Sequence, residues 1–243
     1  MGQVIGILPA RYQSTRFPGK MLYKIRGKSL IQHSYENAKK SSLDDVIVAT
    51  DDLRIMDHVK EFGGKAIMTS VSCANGTERL AEAVSHHLHL QKADVIVNIQ
   101  GDHPCISSQT IEAAVKVLLE GKEAVMSTAA ALFEDPTEAI SPHVVKCVFD
   151  RNHNALYFSR SLIPYLKNPT KNLYYHVGIY AYRPEFLLIY PTLQNTNLQL
   201  SEDLEQLKVL EYGYRIKVAI VQEKVLGVDI PEDIQKIEKF LCR

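Results

Sequence analysis

Short runs of β-branched apolar residues alternate along this chain with stretches of helical periodicity, and that alternation narrows the possible folds more than any other feature. Asp45–Thr50 (DVIVAT) and Asp94–Gln100 (DVIVNIQ) are apolar on both faces, as strands covered from both sides must be. Gln3–Pro9, Lys65–Met68 and Ala124–Leu132 read as further strands. Between them, Leu30–Lys40, Leu53–Phe62, Thr77–Gln91 and Ser108–Glu120 carry helical spacing, with Gly63-Gly64 and Gly121 as stop signals. Strands separated by helices predict parallel βαβ units with right-handed crossovers.

The pattern changes near residue 140. Val144–Asp150, Ala155–Ser159 and Tyr174–Tyr182 are strand-like and close in sequence, with turn chemistry at Asp150-Arg151-Asn152, so this part reads as antiparallel. A helix at Ser201–Tyr212, a strand at Arg215–Val221 and a helix at Pro231–Leu241 complete the chain. The expectation is one α/β domain over residues 1–243, a mixed sheet flanked by helices, with a smaller antiparallel region at about 140–200.

Composition removes several classes of function. The chain has 243 residues, enough to bury roughly 70–75% of its unfolded surface without disulfide or metal staples. Its 28 Lys+Arg and 28 Asp+Glu cancel, which argues against a polynucleotide partner. No apolar run reaches the ~18 residues of a membrane span, and MGQVIGILPARY reads as a first strand rather than a signal peptide. Cys73, Cys105, Cys147 and Cys242 form no C-x-x-C pair and read as reduced thiols of a cytoplasmic protein. The neutral total hides an asymmetry: residues 1–40 hold eight Lys+Arg against a single acid, Glu36.

Ligands of open α/β sheets bind beyond the carboxyl ends of the strands, so the segments that follow strands carry the functional argument. Leu8–Lys20 offers Arg11, Arg16 and Lys20, the Ser14 and Thr15 hydroxyls, and Gly19. Such a loop suits a polyphosphate, although it matches no P-loop and no dinucleotide fingerprint. Asp102 follows the strand ending at Gln100, and Asp229 follows a β-like stretch before Pro231. Either could be a turn or helix-cap residue. Together, two strand-end carboxylates and a cationic loop are what metal-assisted attack on a nucleotide phosphate requires. His86-His87-x-His89 is a weak metal motif, because adjacent histidines do not share a helix face.

The segments PARYQSTRFPGK, NGTERLAEA, VNIQGD, ALYFSRSLIP, HVGIYAY, LEQLKVLEYG and GVDIPEDI are collinear and span almost the whole chain. In this combination the chain resembles the CMP-KDO synthetase family, the 3-deoxy-manno-octulosonate cytidylyltransferases. The resemblance implies a Rossmann-like nucleotidyltransferase fold related to the GT-A class, a homodimer, and activation of the acid sugar KDO for lipopolysaccharide biosynthesis. It implies that Arg11, Ser14, Arg16 and Lys20 hold the phosphates of CTP, with Ala10, Thr77, Glu78 and Arg79 around the nucleotide. It places Gln100, Arg160, His176, Tyr180, Glu205 and Gln206 at the KDO, and Mg2+ on Asp102 and Asp229. Lys20, Arg11, Asp102 and Asp229 would then carry the catalysis. His103 departs from the acidic residue of the family pattern, Phe17 and Met21 from its Leu and Pro, and Asn75 from its Ser.

Without the resemblance, His176 reads as an ordinary strand histidine and Glu205 as an i,i+3 partner of Lys208. The expected reaction joins CMP to the anomeric hydroxyl of KDO and releases pyrophosphate, with no covalent enzyme intermediate. A cytidylyltransferase for another acid sugar, or a homologue that only binds nucleotide, are the competing readings.

Overall fold

The computed structural model describes residues 2–14, 16–168, 172–222 and 226–240, which leaves Thr15, Leu241 and Cys242 outside. Its strands are β1 (Val4–Ala10), β2 (Lys24–Ile25), β3 (Lys28–Ser29), β4 (Asp45–Thr50), β5 (Lys65–Met68), β6 (Val95–Asn98), β7 (Ala124–Leu132), β8 (Lys146–Phe149), β9 (Ala155–Ser159), β10 (Tyr174–Tyr182) and β11 (Arg215–Val221). The main sheet runs β11-β7-β10-β6-β1-β4-β5, with β8 paired to β10 and β9 to β8. β1 pairs in parallel with β4 and β6, β4 with β5, and β7 with β11. β10 runs antiparallel between β6 and β7. The sheet is therefore mixed, as expected, and flanked by helices.

Period-two alternation explains the two cores. Ile5 and Ile7 of β1 join Ile47 and Ala49 of β4 on one face, while Leu8 and Ala10 join Val46 and Val48 on the other. The first face is covered by helices Gly76–His86, Pro184–Ile189 and Glu205–Glu211, and the second by Leu30–Ala38, Leu53–Glu61 and Ser108–Glu120. The helix starts are set by side-chain caps. Ser29, Asp52, Asn75 and Ser107 each accept a hydrogen bond from a backbone N–H two or three residues on. Asn75 is thus the cap of the helix Gly76–His86.

Two expectations are revised. The helix expected over Thr77–Gln91 breaks at His87, whose backbone is extended. A continuous helix would turn Leu90 away from the face of Leu80 and Val84, and the break returns Leu90 to the core, fully buried. The helix expected over Ser201–Tyr212 is two, Asn197–Glu202 and Glu205–Glu211, separated by Asp203 at φ 52°. The smaller antiparallel region is present as expected, with β10 inside the main sheet and the β8–β9 arm extending from it.

β10 also carries an irregularity. Val177 pairs with Ala129, but Tyr180 pairs with Thr128, so Gly178 and Ile179 bulge out. The Thr128 hydroxyl donates to the carbonyls of Ile179 (2.7 Å) and Val177 (3.3 Å), satisfying the groups that the bulge frees.

Candidate active site

Two cavities open at carboxyl ends of strands, the smaller beyond β1 and β6 and the larger beyond β7 and β11, and Asp102 and Asp229 line both. The smaller, about 420 Å³, is lined by Ala10, Arg11, Ser14, Arg16, Lys20, Asn75, Gly76, Arg79, Gln100, Asp203 and Glu205, among others. The larger, about 810 Å³, includes His103, Phe133, Glu138, His143, Tyr175, His176 and Gly178. The two carboxylates thus form a wall between a cation-rich chamber and a wider one.

Local backbone chemistry brings Lys20 to that wall. Gly19 takes φ 71°, a conformation open to glycine at no steric cost, and starts the short 3-10 turn Lys20–Leu22. The buried Lys20 ammonium donates to Asp102 Oδ2 at 2.5 Å and to the Val228 carbonyl at 2.8 Å, and lies 3.9 Å from Asp229 Oδ1. Arg16 donates to Asp229 Oδ1 at 3.1 Å. Gly101 lets the chain turn close to β1, because a Cβ there would stand 3.0 Å from the Pro9 carbonyl oxygen. Burial pushes the Asp102 carboxyl up, but the charges of His103 and Lys20 and the Lys20 hydrogen bond outweigh it and hold it below the ordinary carboxylate range. Arg11 is exposed and forms no ion pair among the described residues.

Arg79 is buried with its Nη2 on Asp51 Oδ2 (2.7 Å) and its Nη1 on Thr69 Oγ1 (2.6 Å), so it fixes the loop over the smaller chamber with its charge already paired. Thr77 sits behind the cavity. Its hydroxyl donates to Glu205 Oε2 at 2.6 Å and accepts from Tyr182 at 3.0 Å. Burial raises the Glu205 carboxyl, opposed in part by the Thr77 hydrogen bonds. Lys208 makes no close ion pair with it, although its charge also lowers the Glu205 carboxyl. That ammonium donates to the Leu193 carbonyl and lies 4.0 Å from the centre of the Tyr190 ring.

The residues expected at the sugar are spread over both chambers. Gln100 and Glu205 line the smaller and His176 the larger, while Tyr180 donates to Gln206 Oε1 at 3.0 Å beneath them. Gln206 Nε2 is buried without a partner. Arg160 lines neither chamber. Its Nε donates to the Glu202 carbonyl at 2.7 Å. Thr128 has spent its proton on the bulge carbonyls, so at 2.8 Å it accepts from His176 Nε2, which leaves His176 Nδ1 as an acceptor. Burial, reinforced by the charge of His103, pulls the His176 imidazole down to about 3, so it is neutral near pH 7.

Sequence reading passed over Asp203, His143, Glu138 and Thr128. The first three come from segments that no motif marks, and Thr128 lies inside an unremarkable strand. Neither Cys73 nor Cys147 is a poised nucleophile, since burial pushes their thiols up to about 11 and about 12. Among the described residues no group of three or more His, Cys, Asp or Glu could hold a metal, the His86–His89 cluster included, and no helix is long and apolar enough to cross a membrane.

Residues 5–220 match the cytidylyltransferase family. A 3-deoxy-manno-octulosonate cytidylyltransferase of Protochlamydia amoebophila is 55% identical over 247 residues, covering 100% of this chain and 95% of that protein. The enzyme of the same name from Chlamydia trachomatis serovar A is 54% identical over 240 residues, covering 98% and 93%. A solved structure of CMP:2-keto-3-deoxy-manno-octonic acid synthetase complexed with CTP superposes with a TM-score of 0.93 at 37% identity, covering 99% of this chain and 98% of that one. With its sheet order, its cationic strand-end loop and its paired carboxylates, the chain belongs to the 3-deoxy-manno-octulosonate cytidylyltransferase family.

Proposed function

We propose that this protein transfers CMP from CTP to the anomeric hydroxyl of KDO, giving CMP-KDO and pyrophosphate. The observation that carries the reading is the wall of Asp102 and Asp229 shared by a cation-lined chamber and a wider neighbour. CTP occupies the smaller chamber, with Arg11, Ser14, Arg16 and Lys20 at its phosphates and Ala10, Gly76 and Gln100 around the nucleoside. KDO enters the larger, where His176 Nδ1 accepts from a sugar hydroxyl, while Arg160 stays outside the lining and reaches its edge through the Pro142 carbonyl next to His143. The sugar oxygen bonds to the α-phosphorus, the bond to pyrophosphate breaks, and the hydroxyl proton is lost. Lys20 and Arg16 stand where charge accumulates on the leaving pyrophosphate.

The two carboxylates fit Mg2+. They are hard oxygen donors close enough to share one ammonium, and Mg2+ takes one or two protein carboxylates with phosphates and water. When bound, Mg2+ neutralises phosphate charge and lowers the pKa of the sugar hydroxyl.

The rest of the proposal is a cytoplasmic homodimer whose product supplies lipopolysaccharide synthesis. Ile140, Leu156 and Tyr165 support a second copy as partner, since these large apolar residues are 71%, 60% and 89% exposed in the antiparallel region. The test of function is pyrophosphate release from CTP and Mg2+ with KDO, a sialic acid or an amino-KDO in turn. Release with KDO is the expected outcome. Release only with another acid sugar, or none with any, would overturn the assignment.

A further inference from the structure

Lys146 is a lysine in the wrong place for a solvated cation. It starts β8 and is fully buried, and its Nζ donates to three backbone carbonyls: Ser141 at 2.9 Å, Val144 at 2.7 Å, and Arg160. An ammonium has three donors, so this set satisfies it completely. Burying a charge is costly, and an apolar side chain would fill the same volume more cheaply. What an apolar side chain could not do is hold three carbonyls around one point. A planar guanidinium fork would not converge on them either.

Of the three carbonyls, that of Val144 belongs to a residue lining the larger cavity, that of Ser141 to the start of the same loop, and that of Arg160 to a residue that lines neither cavity. Ser141 and Val144 bracket a loop whose His143, Val144 and Val145 line the larger cavity. Arg160, outside both cavities, ties that loop to the segment around Glu202 and Asp203. Its N–H donates to Glu202 Oε2 at 2.8 Å, its Nη1 to the Pro142 carbonyl at 3.3 Å, and its Nη2 to the Asp203 carbonyl at 3.4 Å. Asp203 in turn lines the smaller cavity. The backbone just beyond that loop is itself pinned to β10, because the N–H of His176 donates to the Val145 carbonyl at 2.8 Å. One buried ammonium therefore joins the wall of the larger chamber, Arg160 and, through Arg160, the rim of the smaller one.

We propose that Lys146 is a positioning residue for the acceptor sugar, setting the gap between the 141–145 loop and Arg160. It touches no substrate. This rests on the reading that the acid sugar occupies the larger cavity beside Arg160, so the experiment includes Arg160→Ala as a separate check of that reading.

The test compares Lys146→Met, Lys146→Gln and Arg160→Ala by pyrophosphate release in titrations of KDO and of CTP, with thermal melts to establish folding. For Lys146→Met, kcat/KM for KDO should fall about 10- to 100-fold, the scale of a misplaced substrate, while KM for CTP stays within about twofold. Lys146→Gln keeps two N–H donors and should lie between Lys146→Met and the parent protein. If Lys146→Met does not fold, Lys146→Gln carries the comparison below its melting temperature. Arg160→Ala should also weaken use of KDO. Folded Lys146 variants with unchanged KDO kinetics, alongside an impaired Arg160→Ala, would overturn the role of Lys146 and leave the acceptor cavity standing. Equal loss toward both substrates would also overturn it, because it marks a general structural effect. Unchanged KDO kinetics in Arg160→Ala would remove the acceptor reading and the proposal with it.

Discussion

Lys20, Asp102 and His176 show how single residues are tuned by what surrounds them. The charges of Lys20 and His103 keep Asp102 ionised despite its burial, ready to bind a cation. Asp102→Asn keeps the shape and loses the charge, so kcat should drop by at least about 100-fold with circular dichroism unchanged, and removing Mg2+ with a chelator should silence the parent enzyme similarly. Pyrophosphate release near the parent rate would exclude the carboxylate from catalysis. His176 makes a separate, thermodynamic prediction. Its folded pKa of about 3 lies below the ordinary value of 6.5, so between those pH values the unfolded chain binds a proton that the folded protein excludes. Stability should therefore rise with pH across that window and be lost as pH falls through it, with a slope of up to about 1.4 kcal/mol per pH unit. Urea denaturation from pH 4 to 7 should show a flatter dependence in His176→Gln than in the parent. Identical slopes would mean that the imidazole stays accessible to protons.

At the scale of elements, caps and one bulge place the chemistry. Asn75 Oδ1 accepts from the Glu78 N–H at 2.8 Å and starts the helix that carries Thr77 and Arg79. Asn75→Ala should cost about 1 kcal/mol in chemical denaturation, and Asn75→Ser almost nothing. Thr128→Val should cost more, about 1–3 kcal/mol, because it strands the bulge carbonyls and the His176 N–H. A neutral result would show that water replaces the hydroxyl. Elements whose ends are marked by local chemistry were legible from sequence, and β4, β5, β7, β9, β10, β11 and helix Ser108–Glu120 end where the periodicity predicted. The breaks at His87 and Asp203 were not, because each answers to a tertiary demand. Helix Pro184–Ile189 did carry a local signal, Pro184 at its first turn followed by Glu185, that the reading of strands had overshadowed.

Across the whole molecule, the nature of the site was legible because charge and strand ends were. Cations clustered before residue 40 and carboxylates stood just past apolar strands. What was not legible is the division of those residues between two chambers, which depends on β10 running inside the sheet and on an arm built from β8 and β9. That arm presents Leu156 to solvent, and the 3-10 turn Pro136–Ile140 before it presents Ile140. Leu156→Asp should shift a dimer toward monomer in light scattering at micromolar concentration, and an unchanged mass would place the interface elsewhere.

The contacts at the wall join opposite ends of the chain. Lys20 reaches the Val228 carbonyl across 208 positions, and Arg16 reaches Asp229 across 213. Among the described residues, every strand of the sheet is complete by Val221. During synthesis, therefore, the ribosome delivers the described strands before it delivers the second carboxylate, and a product that stopped between Val221 and Asp229 would carry those strands and half of the wall.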